Sequence, residues 1–175
     1  KFMSRLYQSI ILLPFLISMV IVGYLVFAFL GFEQGYVNNS LLPLLGIEPI
    51  SWYMEPKYWP YILTFVNLWK SIGFTCIIYL ASIISIDPEY YEAATLDGAS
   101  KWQQIWRVTI PLILPTIIIM TLLSIGRIFY SDFGLFYQVP MNSGMLYSTT
   151  NVIDTYVFRS LLQRGDIGMS SAAGF

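Results

Sequence analysis

The sequence predicts an all-α membrane protein, a polytopic bundle of transmembrane helices, and three observations carry that prediction. Hydrophobic residues make up 57% of the chain and charged residues only 11%, where soluble chains carry about 25% charged residues. The apolar residues fall in runs close to the ~20 residues that a bilayer-spanning helix needs. Proline and glycine lie inside those runs, where membrane helices tolerate them.

The first run extends from about Ile10 to Leu30, carries no charge and contains Pro14 and Gly23. Lys1 and Arg5 precede it as the basic region of a secretory signal would. The run is too long for a signal core, however, and further spans follow it. The second extends from Tyr61 to Ile86 and is interrupted only by Lys70. The third covers residues 110–127, from Ile110 through Ile125 to Arg127, with Pro111 and Pro115 near its start. The small, apolar tail at 169–175 reads as the start of another span. With an opening Lys1 in place of a start Met, the chain reads as one membrane domain, residues 1–175, truncated at both ends.

Composition also excludes function classes. A net charge of −1 leaves no basic footprint for nucleic acid. There is no histidine, the commonest metal ligand and general base. Cys76 is the single cysteine, so there is no disulfide framework. The chain has no HExxH, no G-x-S-x-G and no phosphate-loop Gly-Lys-Ser/Thr. No catalytic residue, metal site or cofactor is therefore assigned. An ion-coupled secondary transporter of a small solute is the alternative reading. It would place ionisable groups near the bilayer midplane, and no Asp or Glu lies in any of the three spans.

By the positive-inside rule, Lys1 and Arg5 set the start of the chain in the cytoplasm. Residues 31–60 then lie outside and residues 87–109 inside, with Lys101 and Arg107; Arg159 and Arg164 run against this orientation. In the outer loop, Trp52, Tyr53, Tyr58, Trp59 and Tyr61 are expected as an interfacial aromatic belt. Asn38-Asn39-Ser40 fits a glycosylation acceptor and is read as chance.

The inner loop, Asp87 to Thr109 with Pro111 following, carries the functional signal. Asp87 suits an N-cap and Pro88 the first helical position. Gly98 suits a left-handed helix stop. Ser100 followed by Gln103 has the capping-box pattern, and Trp102, Ile105 and Trp106 share a helical face. Two short helices with a turn between them are expected, and Pro111 opens the next helix. An amphipathic helix lying on the membrane is the plainer reading. The acids Asp87, Glu89, Glu92 and Asp97 favour a protein partner over an anionic leaflet.

Glu92-Ala93-Ala94, three residues, Gly98, nine residues, then Val108-Thr109-Ile110-Pro111 resembles the EAA loop of binding-protein-dependent, type I (MetI-like) ABC-importer permeases. Val108 and Ile110 replace the family's Ile and Leu conservatively, and the spacing is intact. Asn67 to Gly73 and Ile78 to Ala81 resemble the span before that loop in carbohydrate permeases, and Asp154 to Arg159 resembles the segment before the last span in their LplB-like branch.

The resemblance implies a multi-pass protein of the bacterial cell membrane that moves a sugar or oligosaccharide by alternating access. It implies four partners besides the lipid bilayer: an ATP-binding cassette subunit that hydrolyses ATP, a second permease subunit, an extracellular solute-binding protein and the carbohydrate itself. It makes Glu92, Ala93, Ala94, Asp97, Gly98, Ile110 and Pro111 the ATPase-coupling residues. Trp69, Lys70 and Asp132 are candidates for the translocation pathway. Lys70 lies deep in a span, and Asp132 sits beside Tyr130, Phe133, Phe136 and Tyr137.

Overall fold

The computed structural model describes residues 2–127, 130–165 and 167–174, and among these the chain forms helices and turns with no strand. The principal helices are α1 (Phe2–Leu16), α2 (Met19–Leu30), α3 (Trp59–Ile84) and α4 (Pro88–Leu96). They are followed by α5 (Lys101–Gly126), α6 (Phe133–Gln138), α7 (Ile153–Arg159) and α8 (Ile167–Gly174). Pro56–Ile84 and Lys101–Gly126 are each long and apolar enough to cross a membrane, while Tyr7–Leu16 and Met19–Leu30 qualify only as a bent pair.

The first apolar run is therefore not one uninterrupted helix. Ser18 ends it: its backbone is extended (φ −65°, ψ 149°) and its side chain accepts the Ile21 N–H, as a serine N-cap does. The third span also departs from expectation. α5 begins ten residues before Pro111 and runs through one π-helical stretch, Ile105–Thr109, so the second loop helix and the span are continuous.

The chain divides into two units, Lys1–Leu13 with Ser71–Phe129 and Pro14–Lys70 with Tyr130–Phe175. In the first, α1 and α3 meet backbone to backbone at Gly73, where an added Cβ would lie 1.9 Å from the Ile11 carbonyl oxygen. Small residues permit such approach between membrane helices. Ser82 and Thr116 share a hydroxyl hydrogen bond of 2.7 Å between α3 and α5. The far part of α5 turns Ile118, Ile119, Leu122, Leu123 and Ile125 outward, an apolar surface suited to lipid.

In the second unit, α2, α3 and α6 bury Val22, Trp59, Leu63, Val66, Leu135 and Val139 together with Leu146. Trp59 is wholly buried, and its indole N–H donates to the Trp52 carbonyl at 2.7 Å. This corrects its assignment to an interfacial belt, a place that Tyr61, 76% exposed, fits better. The Tyr53 ring sits 5.5 Å from Phe27 and 5.0 Å from Trp59, centre to centre. Its hydroxyl donates to the Val139 carbonyl, and burial pushes the phenol pKa well above its usual value. Asn38 is buried as well.

Candidate coupling loop

The segment from Asp87 to Pro111 lies within the first unit, and its local chemistry shapes it. The Asp87 carboxylate accepts the Glu89 N–H at 3.0 Å and starts α4, with Pro88 in its first turn. The helix stops at Gly98, whose φ is +77°. The Gly98 N–H donates to the Thr95 carbonyl and the Ala99 N–H reaches back to the Ala94 carbonyl. Those two bonds make a Schellman turn, which uses carbonyls that a helix end leaves unpaired. The next helix opens on a reciprocal capping box: Gln103 N–H to Ser100 Oγ at 3.4 Å, and Ser100 N–H to Gln103 Oε1 at 2.7 Å.

Side chains then clasp the two helices. Tyr91 and Thr109 share a hydroxyl hydrogen bond of 2.9 Å. Gln104 Nε2 donates to Thr95 Oγ1 at 3.0 Å and to the Ala99 carbonyl at 3.3 Å. Beside the turn is a recess of about 300 Å³ lined by Ala94, Asp97, Gly98, Ala99, Gln103 and Arg107.

Glu92 and Ala93 are exposed, Ala94 is half-buried, and Asp97, as C-cap of α4, lies at the open end of the turn. Leu96, Trp102 and Trp106 are largely exposed around them. Ile110, half-buried, and Pro111, exposed, sit inside α5 just past its π stretch. The loop thus presents an acid and apolar side chains around a hydrogen-bonded turn. Among the described residues, no three His, Cys, Asp or Glu side chains converge on a metal position.

The family model described as "Binding-protein-dependent transport system inner membrane component" matches residues 1–168. The chain belongs to that family. It is 31% identical over 171 residues to Protein LplB of Bacillus subtilis (strain 168), covering 98% of this chain and 53% of LplB. It is 32% identical over 176 residues to the polygalacturonan/rhamnogalacturonan transport system permease protein YteP of the same organism, covering 98% and 52%. Among solved structures, a bacterial ABC transporter involved in the import of the acidic polysaccharide alginate matches with a TM-score of 0.89 and 38% identity, covering 99% of this chain and 60% of that one. The permease chain therefore spans about half the length of the curated relatives it matches. Its fold is the all-α MetI-like membrane permease fold, and its relatives are transport subunits.

The three pathway candidates, Trp69, Lys70 and Asp132, differ in their surroundings. All lie in the second unit, each with separate neighbours. Asp132 caps α6, its carboxylate accepting the Leu135 N–H at 3.0 Å. Beside it, Phe133 and Tyr137 stack at 4.9 Å and both contact Phe158. Trp69 lines an apolar groove with Val22, Val26, Phe29 and Phe65. Lys70 donates to the Pro14 carbonyl at 3.2 Å, to the Phe15 carbonyl at 3.1 Å and to the Ile17 carbonyl.

Sequence reasoning missed Tyr91, Gln104 and Thr109 as the clasp. The one available hint was the run of hydrogen-bonding residues on facing turns of two adjoining helices.

Proposed function

We propose that this chain is the membrane core of a permease subunit in an ATP-driven importer, multi-pass in a bacterial cell membrane. It passes a sugar or oligosaccharide received from an extracellular binding protein. A separate ATP-binding cassette subunit hydrolyses ATP, a second permease subunit completes the pathway, and alternating access moves the cargo.

The observation that carries this reading is the loop itself. A rigid Schellman turn and a capping box display Glu92 on a helix clasped to the start of a membrane-crossing helix. Such a lever can pass a partner's closure into the membrane. The coupling set is Glu92, Ala93, Ala94, Asp97, Gly98, Ile110 and Pro111. The Glu92 carboxylate would accept charge-assisted hydrogen bonds from the ATPase. The sugar assignment draws on the printed cargo of YteP and of the alginate importer. The ion-coupled alternative finds little support, because α1, α2, α3 and the apolar part of α5 hold no Asp or Glu.

The test is the full-length permease reconstituted with its binding protein, second permease and ATPase in vesicles. Oligosaccharide uptake is expected to require ATP inside and to be unaffected by collapsing proton and sodium gradients. Glu92→Ala is expected to leave the permease inserted while weakening ATPase copurification or separating hydrolysis from uptake. Uptake that follows an ion gradient and ignores ATP would overturn the reading.

A further inference from the structure

We infer that Lys70 is a tethered cation that sets the backbone at the break between α1 and α2, and that the permease needs an ammonium at this one point. The break exposes main-chain polar groups. α1 ends at Leu16 and α2 begins at Met19, and the last carbonyls of a helix have no amide partner within it. Water that would satisfy them is absent from a bilayer. The carbonyls of Pro14, Phe15 and Ile17 instead converge on Lys70 Nζ. All four residues belong to the same unit.

Three acceptors on one nitrogen call for three N–H donors, and only the protonated amine has three. The charge also has the favourable sign, since a helix C-terminus attracts cations. A lysine within an apolar span is costly unless it finds partners, and here the partners are main-chain oxygens rather than an acid. Where ion-coupled carriers break a helix in the membrane, freed carbonyls of this kind hold a solute sodium ion or proton. Here the chain carries its own cation in that position. Lys70 is therefore a positioning residue for the break, a role distinct from the cargo contact that a pathway residue would make.

The test uses the full-length permease in its complete importer, in a background where Cys76 is replaced by Ser. Two readouts are followed. One is oligosaccharide uptake, which rests on the proposed function. The other is the labelling rate of Leu16→Cys, an exposed position at the end of α1, which does not. Lys70→Ala is expected to cut uptake more than tenfold and to change the labelling rate severalfold. Methylammonium should restore both readouts, and tetramethylammonium, which has no N–H, neither. Lys70→Arg should insert normally yet lose about tenfold in uptake, because a planar guanidinium cannot aim three donors at one point.

Wild-type uptake and labelling in Lys70→Ala would overturn the inference, as would loss of both readouts without rescue by methylammonium. Should Lys70→Ala not accumulate in the membrane, full uptake and unchanged labelling in Lys70→Arg would overturn it. A labelling change that methylammonium reverses, in an importer that moves no sugar even with Lys70 intact, would support the inference and sink the functional reading instead.

Discussion

The side chain of Asn38 and the backbone of Ile50 exchange two hydrogen bonds. Asn38 Nδ2 donates to the Ile50 carbonyl at 3.0 Å and the Ile50 N–H donates to Asn38 Oδ1 at 3.2 Å. The same Oδ1 accepts the Trp52 indole N–H at 3.0 Å, and Nδ2 also reaches the Phe32 carbonyl. One buried amide thus closes the loop between α2 and α3. Asn38→Leu is expected to strand the Ile50 and Trp52 donors, each costing about 1–3 kcal/mol when left unpaired. Thermal aggregation of the purified permease in detergent should fall by several degrees. Asn39→Leu serves as the comparison, since Asn39 is exposed and makes one side-chain bond to the Glu33 carbonyl. It should move the midpoint far less.

Two glycines separate packing from backbone freedom. At Gly73 an added Cβ would meet the Ile11 carbonyl oxygen at 1.9 Å, a backbone atom that cannot turn aside. Gly73→Ala should push α1 and α3 apart, costing about 1–3 kcal/mol or more as overpacking does, and should lower the yield of folded permease. At Gly126 nothing lies within 4 Å of the added Cβ. Gly126→Ala should be neutral or slightly stabilising, by up to about 1 kcal/mol of helix propensity. Size-exclusion yield and melting of the two variants, side by side, check both.

How much of this was legible in the sequence depended on the range of the interaction. Asp87, Gly98, Ser100 and Gln103 act on backbone within a few residues, so their residue types alone announced the caps and the turn that form. Ser18 is equally local, but it sits inside an apolar run whose length argued for one continuous span. Trp59 and Asn38 were misread or passed over because their partners, Trp52 and Ile50, come from folding a loop back on itself. Lys70 was recognised as needing a partner, but no local rule could point to carbonyls more than fifty positions away.

Gly98 offers a test in which conformation and size give opposite answers. Its φ is +77°, and nothing lies within 4 Å of an added Cβ. The demand is for the left-handed backbone alone. Asparagine tolerates that region, while β-branched residues pay about 1–2 kcal/mol or more to enter it. Gly98→Asn should therefore support uptake near that of the parent importer, whereas Gly98→Thr, close to asparagine in volume but β-branched, should impair coupling of ATP hydrolysis to uptake. If bulk were what mattered, the two would fail together.

The clasp between Tyr91 and Thr109 gives the sharpest test of the loop as a lever. The shared hydrogen bond of 2.9 Å joins α4 to the π stretch at the start of α5. Thr109 Oγ1 also lies 3.5 Å from the Gln104 carbonyl. Thr109→Val keeps the shape and removes the hydroxyl, and Tyr91→Phe removes the other partner. Each is expected to cost about 0.5–1.5 kcal/mol, the usual net value of one hydrogen bond. The double variant should cost little more than either single, because all three changes delete the same bond. If that bond carries motion from the ATPase into α5, sugar moved per ATP hydrolysed should fall by roughly two- to tenfold in each single variant, while ATPase copurification stays intact. Thr109→Ser keeps the hydroxyl and should retain most of the coupling. A normal uptake-to-hydrolysis ratio in Thr109→Val, or strictly additive losses in the double variant, would mean that the bond only stabilises the loop and that the stroke passes into the membrane by another route.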